Sequence, residues 1–237
     1  MIRPQAVLAS LRGRLIVSCQ APPGSPLRDP GIIAALAQCA ERGGAGGVRI
    51  DGPDDIAAVR RAVAIPIIGI YKMPDRSPVY ITPTFDAGRT IVQAGAHIVA
   101  VQATRERAST PDRLSDLIAR LHEECRVPVM ADVSTLEEGL EAAGAGADLV
   151  ATTMAGYTPH SRQMPGPDLD LVRDLARGVS IPVVAEGRIR TPEEASAALR
   201  AGAWAVVVGR AITMPEAITE TFARALTDLA GRRAEDE

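Results

Sequence analysis

The sequence predicts a closed (β/α)8 barrel, and three observations carry that reading: two strand types alternate along the chain, helix start signals lie between them, and the core is aliphatic. One strand type opens with an apolar residue and a proline: Ile65-Pro66-Ile67-Ile68-Gly69, Val127-Pro128-Val129-Met130-Ala131-Asp132 and Ile181-Pro182-Val183-Val184-Ala185-Glu186. The other follows a Gly-Ala step that closes a helix: Gly44-Ala45-Gly46-Gly47-Val48-Arg49, Gly95-Ala96-His97-Ile98-Val99-Ala100, Gly146-Ala147-Asp148-Leu149-Val150-Ala151 and Gly202-Ala203-Trp204-Ala205-Val206-Val207. Short apolar runs of this kind read as buried parallel strands. With Leu15-Ile16-Val17-Ser18-Cys19-Gln20 in front, eight strand–helix units fit into 237 residues, close to the ~250 residues typical of such a barrel.

Taken in order, residues 4 to 12 are expected to form a short helix closing the barrel floor. The first strand is followed by Ala21-Pro22-Pro23-Gly24-Ser25-Pro26. That stretch cannot open a helix with a glycine-rich phosphate turn, as a doubly wound open sheet would need. Later helices announce themselves through Thr110-Pro111-Asp112, Ser134-Thr135-Leu136-Glu137-Glu138 and Thr191-Pro192-Glu193-Glu194, each placing a cap, a proline or acids in a first turn. Glycine after the last apolar residue of several helices fits a left-handed cap. The whole chain, 1–237, reads as one barrel domain whose acidic, arginine-rich end after Ala230 frays.

Composition narrows the function. Hydrophobic residues make up 46% and aromatic residues 3%, so Ala, Val, Ile and Leu build the core. A net charge of -3 and a pI near 5.7 give no general attraction to nucleic acid or to an anionic membrane. Cys19, Cys39 and Cys125 form no C-x-x-C pair and are odd in number, which points to reduced thiols of a cytoplasmic protein. The start of the chain does not read as a signal peptide, and no apolar run is long enough to span a bilayer. His97, His122 and His160 are scattered, without zinc-ligand spacing, so no metal site is expected.

Catalytic groups of such a barrel come from the C-terminal ends of its strands. Those ends read Gln20, Arg49, Lys72, Gln102, Asp132, Thr152-Thr153, Glu186 and Gly209-Arg210. Lys72 is the only lysine of the chain. Unlike arginine, lysine loses its proton when desolvated, which makes Lys72 a candidate base or nucleophile; a surface lysine is the plain alternative. The last two loops, Glu186-Gly187-Arg188-Ile189 and Val208-Gly209-Arg210-Ala211, are marked by glycine. Backbone N–H groups there are the usual phosphate site of the fold, although glycine also simply lets a strand turn into a helix. A lysine, two carboxylates and a phosphate cradle suit proton abstraction beside a carbonyl of a phosphorylated sugar. They equally suit a Schiff base at Lys72 and carbon–carbon cleavage, or a barrel that binds phosphosugar without catalysis.

From about residue 11 to 226 the chain resembles bacterial N-acylglucosamine-6-phosphate (N-acetylmannosamine-6-phosphate) 2-epimerases. The words that carry the resemblance are Val17-Ser18-Cys19-Gln20-Ala21, Gly69-Ile70-Tyr71-Lys72, Val79-Tyr80-Ile81-Thr82-Pro83-Thr84, Met130-Ala131-Asp132-Val133-Ser134-Thr135, Thr152-Thr153-Met154-Ala155-Gly156-Tyr157-Thr158, Ala185-Glu186-Gly187-Arg188-Ile189 and Val207-Val208-Gly209-Arg210-Ala211-Ile212-Thr213. The resemblance implies a TIM barrel that inverts C2 of N-acetylmannosamine 6-phosphate in sialic acid catabolism, without cofactor, as an oligomer that is most often a dimer. It implies Lys72 as the base and Glu186 as the partner acid. Asp132 is the carboxylate that orients the lysine and a sugar hydroxyl, and Gln20, Arg49, Thr153 and Tyr157 contact substrate. The phosphate residues are expected to be Gly187 and Gly209, from the usual site of the fold, with Arg210 beside them.

Three departures stand out. Met214 occupies the place of a family arginine that helps hold phosphate, and Arg210, one helical turn earlier, is expected to replace its charge. Gln102-Ala103-Thr104 stands where Asp-Ala-Thr is usual, and the following Arg105-Glu106-Arg107-Ala108 shifts the basic pattern. Arg49 is followed by Ile50-Asp51-Gly52 rather than Ala-Asn.

Overall fold

The computed structural model describes residues 4–235 except 111, and no side chains from 228 onward. Eight parallel strands close into a barrel in sequence order, with β8 pairing back onto β1. The strands are β1 (Leu15–Cys19), β2 (Gly47–Asp51), β3 (Ile67–Ile70), β4 (Ile98–Gln102), β5 (Val129–Asp132), β6 (Leu149–Ala151), β7 (Val183–Glu186) and β8 (Ala205–Val208). Around them run α1 (Pro4–Ser10), α2 (Pro30–Arg42), α3 (Pro53–Ala62), α4 (Phe85–Ala94), α5 (Leu114–Arg120), α6 (Leu136–Gly144), α7 (Leu169–Gly178), α8 (Pro192–Arg200), α9 (Arg210–Thr213) and α10 (Pro215–Glu235). Among the described residues, no helix is long and apolar enough to cross a membrane.

The start signals read from the sequence act as caps. Thr135 and Thr191 each accept from the backbone N–H three residues on, and Glu138 and Glu194 reach back to complete capping boxes, each typically worth about 1 kcal/mol. The cap expected around Thr110 is displaced. That segment follows a 3-10 turn, and α5 begins only at Leu114; Pro111 itself lies outside the described residues. Helix α5 continues into a π-type turn over Leu121–Cys125.

Strand alternation sorts the side chains into two cores. Ile16, Ile68, Ile70, Ile98, Ala100, Met130, Leu149, Ala151, Val184, Ala205 and Val207 fill the barrel interior. Their odd-even neighbours, such as Val17, Val48, Val99, Ala131, Val150, Ala185 and Val206, pack outward against the helices. Helix α1 closes the floor, with Val7 and Leu11 joining the interior cluster. Trp204 Nε1 donates to Leu8 O at 3.3 Å, and the Arg12 guanidinium lies 4.8 Å from the Trp204 ring centre.

Two features change expectations about the end of the chain. Met214 has left the helix (φ -119°, ψ 86°) and follows α9 as its cap, so Arg210 and Met214 do not share one continuous helical turn. Helix α10 runs through the segment after Ala230 to Glu235; the last two residues lie outside the described residues. It packs against α9, and its Phe222 and Leu226 are 70% and 72% exposed.

Candidate active site

The interior alternation that buries Ile16, Ile68, Met130 and Val184 brings a polar layer to the C-terminal mouth two residues later. Arg49, Asp132 and Glu186 belong to that layer, delivered by β2, β5 and β7. Arg49 is 1% exposed and Asp132 fully buried. The guanidinium forks onto Asp132, with Nη2 to Oδ2 at 2.5 Å and Nη1 to Oδ1 at 3.0 Å. Its Nη1 also donates to Glu186 Oε2 at 2.5 Å. Thr153, in the 3-10 turn after β6, places its hydroxyl 2.7 Å from Asp132 Oδ1 and 3.1 Å from Glu186 Oε2, and accepts from Arg49 Nη1 at 3.1 Å. Thr152 and Glu186 are tied reciprocally: Glu186 N donates to Thr152 Oγ1 at 3.0 Å, and that hydroxyl donates to Glu186 O at 2.9 Å.

One guanidinium thus serves two carboxylates, Asp132 fully buried and Glu186 13% exposed. Charge balance in a low-dielectric site then leaves one carboxylate undercompensated. Glu186 carries that imbalance: burial pushes its carboxyl above the usual range, and Asp132 adds to the push against the opposing pull of Arg49. Oε1 of Glu186 has no hydrogen bond among the described residues, which leaves it available to a ligand. Arg49 is held well above its ordinary value by the two carboxylates, against the cost of its own burial.

Lys72 lies two residues beyond β3, at the solvent-facing mouth. Its ammonium donates to Gln20 Oε1 at 2.6 Å, and Gln20 Nε2 is fixed by Ser18 Oγ at 2.7 Å. Its backbone N–H donates to Asp51 Oδ1 at 2.9 Å. The side chain is open to solvent on one side and crowded by rim atoms on the other. That desolvation lowers its pKa below the ordinary lysine value; Asp51 opposes the shift most strongly, and Arg49 reinforces it. A lysine drawn down and a glutamic acid drawn up are an acid–base pair moved toward neutrality.

The structure brings together Lys72, Gln20, Arg49, Asp132, Thr153 and Glu186. Gln20 contacts the lysine, and Arg49 is sunk beneath the mouth between the two carboxylates. Tyr157 stands apart: it is 61% exposed, and the Arg188 guanidinium lies 5.6 Å from its ring. Gly187 takes a left-handed φ of 112°. Gly209 precedes α9 with Ser18 Cβ only 3.2 Å from where a side chain would start, so the β1 and β8 ends pack closely there. Thr213 Oγ1 donates to Ser18 O at 2.7 Å and seats α9 on β1. Arg210 is exposed, and among the described residues no carboxylate pairs with it.

Sequence reasoning missed Asp51 as a site residue. It lies two residues after Arg49 on the same strand, and that i, i+2 spacing was the available signal. Gln102, one of the strand ends and a departure from the family pattern, turns its amide to the loop that follows Lys72.

The strand ends of this barrel thus present a lysine and a carboxyl group whose pKa values are shifted toward each other, a set able to exchange protons with a ligand at the mouth. Residues 33–228 match the NanE family, described as "Putative N-acetylmannosamine-6-phosphate epimerase", and the chain belongs to that family. Relatives named "Putative N-acetylmannosamine-6-phosphate 2-epimerase" include one from Caldanaerobacter subterraneus subsp. tengcongensis, 46% identical over 91% of this chain and 92% of its own. Another, from Thermosynechococcus vestitus, is 48% identical over 92% and 97%. The solved N-acetylmannosamine-6-phosphate 2-epimerase of Clostridium perfringens superposes with a TM-score of 0.88 at 41% identity, over 92% of this chain and 95% of that one.

Proposed function

We propose that the protein interconverts N-acetylmannosamine 6-phosphate and N-acetylglucosamine 6-phosphate by inverting C2, with Lys72 as base and Glu186 as acid. The observation that carries this reading is the chain's only lysine, held by Gln20 and lowered in pKa by desolvation, at the same mouth as Glu186, whose pKa burial raises. Neutral Lys72 removes the C2 proton beside the C1 carbonyl and becomes the ammonium. The electron pair passes into an enolate. Glu186 then returns a proton to the opposite face and becomes the carboxylate. Arg49 keeps a positive potential next to the developing negative charge, while Asp132 and Thr153 hold Arg49 and Glu186 in place.

Proton NMR of N-acetylmannosamine 6-phosphate with the protein in deuterium oxide tests the reaction. The gluco epimer with deuterium at C2 is the expected product. Recovery of unexchanged substrate would remove the reading, and cleavage fragments would replace it with aldol chemistry.

Phosphate binding falls to the backbone around Gly187 and Gly209 and to the exposed Arg210 at the start of α9. Arg210→Ala is expected to raise KM roughly tenfold with kcat little changed, the pattern of a lost ground-state contact. Steady-state kinetics with the phosphorylated sugar checks it; an unchanged KM would leave Arg210 without that role.

The assembly we infer is a homodimer in which a second copy covers α10. Phe222 and Leu226 lie four residues apart on one helix face, and both are open in the single chain. Phe222→Glu with Leu226→Glu is expected to give a monomer in sedimentation velocity; a dimer that persists would place the interface elsewhere. Three free thiols, Cys19, Cys39 and Cys125, suit a reducing cytoplasm.

A further inference from the structure

We propose that Gln102 and Arg107 are positioning residues: they clamp the loop from Lys72 to Thr82 against β4 and so fix the reach of the lysine. The inference rests on the reading of Lys72 as the base.

Lys72 is not held by the barrel ladder itself, since β3 ends at Ile70. Its loop folds back on itself instead. Lys72 forms an isolated antiparallel bridge with Ile81, Met73 N donates to Tyr80 O at 2.8 Å, and Thr82 N donates to Tyr71 O at 2.9 Å. A lone bridge of this kind is weak unless its returning half is anchored.

The β4 backbone anchors it through Gln102 N, which donates to Ile81 O at 3.0 Å, and two buried side chains add to that hold. Gln102, 1% exposed, accepts through Oε1 from Tyr80 N at 3.0 Å and Ile81 N at 3.4 Å. Its Nε2 donates to Pro78 O and Thr104 Oγ1, both at 2.9 Å. Both lone pairs and both protons of the amide are therefore spent, and only a carboxamide supplies that combination. A carboxylate at this position accepts but cannot donate.

Arg107, 4% exposed, donates to three backbone carbonyls: Gln102 O at 2.5 Å, Pro83 O at 3.1 Å and, more loosely, Thr82 O at 3.5 Å. Among the described residues it forms no salt bridge, and burial draws its pKa down to about 10, so it remains charged at neutral pH. An unpaired buried cation is costly. Thr82 adds a second cost, because a β-branched residue at φ 46° is an outlier. Such a conformation persists only where its surroundings over-determine it. They do so here, since Tyr71 N also donates to Thr82 Oγ1 at 3.0 Å. The loop's contribution to the ion-paired mouth is Lys72, so these costs are concentrated where the lysine is aimed.

Gln102→Glu is the test, because it keeps size and acceptors and removes both donations. It is expected to lower kcat about 100-fold, the loss typical of a reacting group displaced by ~1 Å, with KM within about twofold of the parent. A purely structural glutamine would lower the melting temperature and leave kcat unchanged, and that result overturns the proposal. A second readout uses the lone lysine. Reductive methylation with ¹³C-formaldehyde gives one side-chain resonance besides the terminal amine. In the parent it should titrate below free dimethyl-lysine, and in Gln102→Glu it should move toward the free value; an unmoved titration counts against the clamp. If Gln102→Glu does not fold, hydrogen exchange of the unaltered protein decides. The Tyr80 amide should be protected like those of β4, and exchange at an open-loop rate overturns the proposal. Full activity of Lys72→Ala would instead remove the base reading, while the resonance still reports whether the clamp holds the lysine.

Discussion

Replacing Lys72 by alanine is expected to lower kcat by ~10²–10⁴, the contribution of one positioned acid or base, while leaving KM and thermal stability close to those of the parent. The side chain stands at the open mouth and makes a single hydrogen bond, to Gln20, so its removal opens no core cavity. Initial rates of deuterium incorporation at C2 measure the effect directly. A variant within threefold of the parent would mean that another group removes the proton. The pH profile sharpens the expectation. The productive form holds Lys72 neutral and Glu186 protonated, so kcat/KM is bell-shaped, falling at low pH where both groups are protonated and at high pH where neither is. Desolvation lifts the acid limb above the ordinary 4.5 of a glutamate and pulls the alkaline limb below the ordinary 10.5 of a lysine. Each shift toward the other enlarges the productive fraction. In Lys72→Ala, the residual activity should follow the Glu186 titration alone and decline as pH rises through it.

The barrel was legible because its signals are local. Proline before an apolar run, a Gly-Ala step after a helix and threonine capping boxes each act within a few residues, and eight repetitions leave few topologies. The strand-end inventory was legible for the same reason: β strands alternate, and Arg49, Asp132 and Glu186 each follow an interior-facing row. How those residues treat one another was not legible. Arg49 reaches Asp132 across 83 residues and Glu186 across 137, and only closure of β1 onto β8 sets those contacts. Arg49 read as a substrate contact, and nothing in the sequence signalled that its guanidinium also pairs with two carboxylates. Gln102 read as a departure in the substrate pocket for a similar reason: its partners Pro78, Tyr80 and Ile81 come from a loop with no periodicity.

Arg49→Met is expected to cost about 3–5 kcal/mol of stability at neutral pH, the range for stranding one side of a buried ion pair, and to abolish measurable epimerisation. Methionine fills much of the arginine volume, so the loss reports charge rather than a cavity. Without the guanidinium, Asp132 and Glu186 face each other in a dry layer with only Thr153 between them. The Glu186 carboxyl, already raised by burial and by Asp132, then loses the opposing pull of Arg49. An acid of that kind binds its proton more tightly in the folded chain, so it destabilises the fold at pH above its raised pKa, and the penalty disappears as pH falls below the unfolded value. The gap between variant and parent should therefore be widest near pH 7 and narrow steadily toward pH 4. Parallel urea titrations at several pH values measure it, and a gap independent of pH would mean that Arg49 supports the barrel by packing alone. A second substitution, Asp132→Asn in the Arg49→Met background, removes one of the stranded charges and should recover much of the stability without restoring turnover. That outcome would separate the two tasks of Arg49: holding the carboxylates at the mouth together, and keeping Glu186 low enough in pKa to release the proton it delivers.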